Sequence, residues 1–165
     1  MAPGTERAFG HTAVTREAAL AFAREFDPQP FHLDDAAAAA SLFGRLSACG
    51  WHTCAMAMRM MCDDCLLDSA SLGSLGIDEL RWLAPVYPGD VLNMRMRVLE
   101  ALPMTSRAGV GLVNILWQVF KQDQARSAVD ARLGHVSAPA LRHRGPQRLG
   151  LQAHGDGRRR DRRWR

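Results

Sequence analysis

Residues 50–62, GWHTCAMAMRMMC, are the most apolar part of a predicted helix around which we expect the rest of the chain to pack. Alanine, methionine and cysteine side chains cover nearly every face of the helix that this stretch predicts, from Trp51 to about Leu67. A helix that is apolar all round is a buried helix. The methionines are typical of adaptable core packing rather than of a cofactor site. Arg59 is the exception, and we expect it to reach solvent or to pair with an acid.

The chain after this helix has the pattern of strands. Residues 71–76 contain glycines and serines and predict a loop, and alternating chain begins at Ile77 and continues to Leu83. Two long strands are predicted beyond it, at Val91–Ala101 and Val110–Phe120, because apolar side chains recur at every second residue. Helices that precede long antiparallel strands indicate the α+β class.

The chain before the central helix predicts two shorter helices. Thr15 is a suitable N-cap for an alanine-rich helix that continues to about Phe26. Two prolines in residues 27–30 end that helix and fix an extended loop. Asp34 or Asp35 then caps a helix from Ala36 to about Phe43, which Gly44 is placed to terminate in a left-handed conformation.

Composition limits the class of protein. The 165 residues are 47% hydrophobic, which fits one globular domain. We find no apolar run near the roughly 18 residues that span a bilayer and no signal-peptide pattern, so we expect a cytoplasmic protein without membrane attachment. Residues 141–165 carry a net charge of +7 and residues 1–140 carry −3. Because the body lacks a basic stripe with interleaved aromatic residues, we do not expect nucleic-acid binding.

The four cysteines all fall in the central helical region, at positions 49, 54, 62 and 65. Residues 62–65 have the CxxC spacing of zinc or redox sites, but no second CxxC accompanies them. We therefore interpret the cysteines as small buried apolar residues in a reducing compartment and predict no metal site.

One short window has catalytic character. Asp27, Gln29 and His32 lie within six residues that two prolines hold rigid, directly before a predicted helix. Histidine transfers protons near neutral pH, and a nearby carboxylate can orient a water molecule or the imidazole. The alternative is that Asp27 caps a helix and His32 packs in the core.

Three segments in order resemble one known family. Residues 27–34, DPQPFHLD, resemble the Asp-x-Asn-Pro-apolar-His signature of the MaoC-like dehydratases, which include the (R)-specific enoyl-CoA hydratases. Residues 48–53, ACGWHT, are similar to the start of that family's central helix. Residues 85–92, PVYPGDVL, are similar to its Pro-Val-x-x-Gly-Asp segment, which leads into a long strand.

The resemblance implies a hotdog fold, in which an antiparallel sheet wraps around the central helix, and a homodimer. It implies that Asp27 and His32 hold the water that adds to an α,β-unsaturated acyl thioester, carried by CoA or an acyl carrier, with His32 moving the proton. The backbone N–H of Gly50 would bind the thioester oxygen. No metal or redox cofactor is implied.

One residue departs from the family signature, and three others in the matching segments have expected roles outside the catalytic set. Gln29 stands where the signature usually has Asn, so the hydrogen bond that orients the loop must be made from a longer side chain. We expect His52 to be a core histidine, with lining of the site as the alternative. We interpret Trp51 as a packing residue and Asp90 as a turn residue.

The C-terminal region does not match the family. A hotdog sheet ends with one more apolar strand after residues 121–124, and the sequence predicts none there, with Val129–Val136 as a poor substitute. We therefore divide the chain into a hotdog domain, residues 1–124, and a divergent Arg- and Gly-rich segment, residues 125–165, expected to be disordered. Codons can be chosen for residues 128–140 that encode an apolar strand when they are read one nucleotide out of frame. A frameshift near Gln124 is our hypothesis, and an intact gene sequence there would contradict it.

The sequence is compatible with three functions. The first is a MaoC-like hydratase or dehydratase that uses Asp27, His32 and Gly50. The second is a hotdog thioesterase, in which a carboxylate-activated water attacks the thioester carbonyl. The third is a non-catalytic hotdog subunit that contributes an interface while another subunit carries the chemistry.

Overall fold

A five-stranded antiparallel sheet and one long helix form the frame of the molecule in the computed structural model, which describes residues 2–106, 108–122 and 127–137. The strand order is β1-β3-β4-β5-β2. The strands are β1 (Glu6–Ala13), β2 (Ser71–Trp82), β3 (Val91–Pro103), β4 (Gly111–Lys121) and β5 (Ser127–Ser137). The helices are α1 (Arg16–Phe26), α2 (Pro30–Leu33), α3 (Asp35–Ala39) and α4 (Gly50–Met61), and a π-helical turn, Cys62–Leu66, continues α4.

Strands β3 and β4 form the centre of the core. Their alternating apolar residues face the same side of the sheet, and Met94 pairs with Val119 while Met96 pairs with Trp117. These four side chains are almost fully buried. The period of two in the sequence therefore predicted both strands to within two residues at either end.

Helix α4 packs against this apolar face of the sheet. Ala57, Met60 and Met61 are buried there, in the same cluster as the strand residues. The expectation of burial on every face is wrong for the isolated chain, because Trp51 is 56% exposed and Met58 is 43% exposed. Arg59 pairs with Asp63 at 2.8 Å, as expected. No helix in the described part of the chain is long and apolar enough to span a bilayer.

Strand β1 was not predicted from the sequence. It lies at one edge of the sheet, antiparallel to β3, and most of its side chains are exposed, so it carries almost no apolar alternation. The pairing shifts between Phe9 and Thr12, where Gly10 adopts a φ of 83°. A Cβ on Gly10 would collide with the side chain of Met60, and L residues rarely adopt this φ, so glycine suits the close approach of β1 to α4.

Strand β2 begins earlier than predicted. Residues 71–76 were expected to form a loop, but β2 starts at Ser71 and pairs with β5 up to Trp82. Gly73 and Gly76 have positive φ values where the pairing shifts. Glycine at a β-bulge is compatible with a strand, so the loop prediction at these residues was wrong.

The predicted absence of a final strand is also wrong. Strand β5 occupies the space between β4 and β2 and pairs with both. Ala128 and Val129 are buried, and Ala131 pairs with Trp117 across the sheet. Small side chains opposite large ones fill the core, although they weaken the apolar pattern in the sequence. Residues 138–165, with their expected disorder, lie outside the described residues.

The short helices follow the predicted caps. Thr15 Oγ1 accepts a hydrogen bond from the N–H of Ala18, and a carboxylate oxygen of Asp34 accepts one from Ala37. Helix α3 ends at Ala39, earlier than the expected Phe43. Gly44 is left-handed, with a φ of 68°, but it lies in the following loop rather than at the helix end.

Candidate active site

The loop after α1 brings the predicted catalytic residues together. Asp27 is the C-cap of α1, and its N–H donates to the carbonyl of Ala23. The N–H of Gln29 donates to the carbonyl of Asp27 at 2.8 Å, and Pro30 then begins α2, which contains His32. Proline is well suited to the first position of a helix. The two prolines therefore fix a tight connection that turns both side chains toward each other.

His32 is held in one orientation. Its side chain is buried, and Nδ1 lies 2.9 Å from the backbone carbonyl oxygen of Ser47. Because a carbonyl oxygen only accepts, we assign the Nδ1 proton to this bond. In the neutral form of the imidazole, Nε2 then carries a lone pair, and it lies 3.5 Å from Oδ2 of Asp27.

The carboxylate of Asp27 is oriented by two donors. Gln29 Nε2 donates to Oδ1 at 2.7 Å, and the thiol of Cys49 donates to the same carboxylate. The Cys49 hydrogen bond is the main cause that lowers the pKa of Asp27 below 3.8, with smaller contributions from Gln29 and from the positive charge that His32 carries when it is protonated, while partial burial opposes them. Asp27 is therefore a carboxylate near neutral pH.

Two acceptors thus face each other across a short gap. Oδ2 of the Asp27 carboxylate and Nε2 of the neutral form of His32 are both hydrogen-bond acceptors. A water molecule can donate one proton to each and is then polarised toward nucleophilic attack. The arrangement could support acid and base chemistry on a bound water.

Cys49 is a site residue that the sequence analysis missed. It is the N-cap of α4 and is almost fully buried. Burial and the Asp27 carboxylate raise the pKa of the Cys49 thiol, although the N–H groups of His52 and Trp51 act in the opposite direction. Cys49 therefore stays protonated and acts as a donor. Its place directly before Gly50 was the signal available in the sequence.

A cavity of about 420 Å³ opens onto these groups. Gly50 lies on its wall as the first residue of α4, so its N–H has no acceptor within the helix. Trp82 covers Gly50, and a Cβ there would lie 2.6 Å from the indole Nε1. The remaining wall is mainly apolar, and its residues include Phe43, Ala48, Thr53, Leu83 and Val86.

The third motif segment, residues 85–92, supports one wall of the cavity. The N–H of Ala48 donates to the carbonyl of Val86, and the hydroxyl of Tyr87 donates to the carbonyl of Phe43. The guanidinium of Arg45 lies 3.9 Å from the Tyr87 ring centre. Asp90 accepts from the N–H of Tyr87 within the turn, which confirms its expected role as a turn residue.

The side chains of His52 and Trp51 lie in different environments. His52 is buried and stacks on Phe22, with ring centres 5.0 Å apart, and it does not line the cavity. Burial lowers the pKa of His52. Among the described residues its Nδ1 has no hydrogen-bond partner. Trp51 packs edge-on against Trp82, as expected of a packing residue, and also lines the cavity.

The antiparallel sheet around a long helix, with a polar cluster at the start of that helix, defines the class as a hotdog protein. The model of the MaoC-like domain family matches residues 1–114, so the chain belongs to that family. A MaoC-like dehydratase from Rhodospirillum rubrum is 36% identical, with a TM-score of 0.79, and the match covers 85% of this chain and 94% of that one.

The chain is also similar to two further proteins. The unliganded R-hydratase PhaJ1 from Pseudomonas aeruginosa is 26% identical, with a TM-score of 0.66, over 91% of this chain and 94% of that one. The uncharacterized protein YdeM from Bacillus subtilis strain 168 is 26% identical over 113 residues, or 68% of this chain and 79% of YdeM.

Proposed function

We propose that the protein adds water reversibly to an α,β-unsaturated acyl thioester carried by CoA or an acyl carrier. The observation that carries this proposal is the pair of acceptors, Oδ2 of Asp27 and Nε2 of His32, 3.5 Å apart at a largely apolar cavity. Membership of the MaoC-like family and the likeness to an R-hydratase support it.

The proposed reaction begins with a water held between Asp27 and His32. Nε2 of His32 takes one proton as the water oxygen bonds to Cβ of the substrate, and the electron pair of the double bond moves to the thioester carbonyl as an enolate. The proton on His32 then passes to Cα, so that water has been added and the dyad is restored. Asp27 stabilises the imidazolium that forms in between.

Gly50 is proposed to bind the enolate oxygen. Its N–H lies at the positive end of α4 and at the cavity wall. A preorganised donor of this kind contributes roughly 10²- to 10³-fold in rate. Trp82 lies over Gly50 and bounds the cavity there. The scheme requires no metal or redox cofactor.

We further propose that the protein acts as a homodimer that joins through β2. This strand is an edge of the sheet, and Leu72, Leu75 and Ile77 on it are exposed. A long edge strand with exposed apolar side chains is a template for pairing with another chain. A cytoplasmic location agrees with four cysteines that are free thiols.

The test is the loss of enoyl-thioester absorbance on a short trans-2-enoyl-CoA, with His32→Ala under identical conditions. We expect hydration by the protein and a fall of about 10²- to 10⁴-fold in the variant. Release of free CoA thiol is followed in parallel. Thiol release without hydration would replace the proposal with a thioesterase, and a folded protein with neither activity would indicate a non-catalytic subunit.

A further inference from the structure

Three potential metal ligands converge beside the cavity. One ligand atom each from Asp27, His32 and Cys49 lie within 4.8 Å of one another, and the His32 to Asp27 separation is 3.5 Å. In a tetrahedral zinc site, with ligand bonds of about 2.0–2.3 Å, ligand atoms lie about 3.3–3.7 Å apart. The oxygen and nitrogen therefore already have the required spacing, and a small movement of the thiol completes the set.

The groups around these ligands are those that support a metal centre. Nδ1–H of His32 donates to the Ser47 carbonyl, which directs the Nε2 lone pair toward Asp27. Gln29 holds the other oxygen of Asp27. Outer hydrogen bonds of this kind fix the orientation of metal-binding histidines and carboxylates. The ligands are thus preorganised on three elements that the fold already holds in place.

The ligand set also selects the kind of cation. A thiolate, an imidazole and a carboxylate suit zinc-like cations, whereas magnesium prefers oxygen ligands alone. One thiolate and one carboxylate would neutralise a divalent charge. All three ligands line the same cavity, so a fourth position faces it and has room for water.

We propose that Asp27, His32 and Cys49 form a binding site for a zinc-like divalent cation, and that its occupancy blocks the catalytic pair. On binding, the Cys49 thiol loses its proton to solvent and a metal–sulfur bond forms, with no change of oxidation state. The Nε2 lone pair of His32 is then bound to the metal and cannot take a proton from water. The binding claim stands without the proposed function, whereas the inhibition claim rests on it.

Binding is tested with Co²⁺ on chelator-treated protein, because a thiolate bound to cobalt gives a near-ultraviolet charge-transfer band. We expect one Co²⁺ per chain with this band, and its displacement by Zn²⁺. Cys49→Ser keeps a donor toward Asp27 but removes the sulfur, so the band should disappear and the affinity should fall by at least about 100-fold. Circular dichroism spectra establish that each variant is folded.

Cys62→Ser is the matched control. Cys62 also lies close to aspartates, in the Cys-Asp-Asp-Cys sequence of residues 62–65, but it is not part of the proposed site. We expect this variant to keep the full cobalt band. Absence of the band in the unsubstituted protein, or a band that survives Cys49→Ser and is lost in Cys62→Ser, would overturn the proposal.

Inhibition is measured separately, as hydration rate against free Zn²⁺ concentration. We expect the rate to fall with the same Zn²⁺ dependence as cobalt displacement, and to return on addition of chelator. Cobalt binding in a protein without hydration activity would refute the proposed function and leave the metal site standing. Zinc binding with an unchanged hydration rate would overturn the blocking claim.

Discussion

The side chain of Gln29, one methylene longer than the Asn of the family signature, still makes a hydrogen bond that orients Asp27. The side chain lies in the Asp27–His32 loop and reaches back two residues to Oδ1 of Asp27, at 2.7 Å. Oδ2 is left to face His32. The longer side chain is therefore compatible with an oriented carboxylate, and the departure from the family signature does not remove the candidate site.

Removal of this contact should weaken the proposed reaction without loss of the fold. A hydrogen bond to a charged group contributes about 1.5–3 kcal/mol, so Gln29→Ala should lower kcat about 10- to 100-fold. Gln118→Ala is the matched control, since Gln118 makes the same kind of bond to Asp130 within the sheet. Steady-state kinetics on a short enoyl-CoA measure both. Equal rates for Gln29→Ala and the control would contradict the orienting role.

His52 gives the protein a pH dependence of stability. Burial lowers its pKa below the ordinary value of 6.5, so the unfolded chain binds a proton more readily than the folded chain. The free energy of unfolding should therefore fall as the pH drops below about 6.5, until it passes the folded pKa. His52→Phe keeps a ring against Phe22 and should reduce that slope. Urea unfolding between pH 5 and about 7.5 measures it, and an unchanged slope would contradict the assignment.

The proximity of Asp27 and His32 could be anticipated from the sequence, whereas the position of Cys49 beside them could not. Asp27 and His32 are five residues apart in a loop that prolines make rigid, so local geometry alone brings them together. Cys49 reaches Asp27 only because α4 begins beside the end of α1. A contact between residues 22 positions apart depends on tertiary packing, which a motif of short spacing does not contain.

Strand β5 links β2 to the rest of the sheet. It pairs with β4 on one side and β2 on the other. A chain that ends after Gln124 would leave both neighbours without their partner, and we expect it to be unfolded or aggregated. A chain that ends after Ser137 keeps every described strand and should unfold cooperatively. Thermal unfolding followed by circular dichroism compares them, and a cooperative transition in the shorter chain would contradict this role.

Strands were predictable where they alternate between apolar and polar residues, and not elsewhere. β3 and β4 bury one face each and show a clear period of two. β1 is exposed along most of its length, and the first half of β2 contains glycines at bulges. Backbone pairing with a neighbouring strand stabilises these segments, and that pairing leaves little trace in side-chain composition.

The proposed dimer would cover the exposed edge of the sheet at β2, whereas a monomer would leave this edge open to solvent. Leu75 is 74% exposed in the middle of this strand. Leu75→Lys should place a charge in the interface and shift the protein toward the monomer, measured by light scattering after size exclusion. Leu42→Lys, at a fully exposed leucine in the loop before Gly44, is the control. A dimer that persists in Leu75→Lys would place the interface elsewhere.

The proposed hydration depends on water activation by Asp27 and His32. Asp27→Asn keeps the shape of the side chain and removes its charge, so it tests the carboxylate itself. Hydration of a short trans-2-enoyl-CoA is the measurement, with Cys62→Ser, at a partly buried residue outside the site, as the control. We predict a loss of at least about 10²-fold in kcat for Asp27→Asn and an unchanged rate for the control. A folded Asp27→Asn protein that hydrates the substrate at the full rate would contradict water activation by this carboxylate.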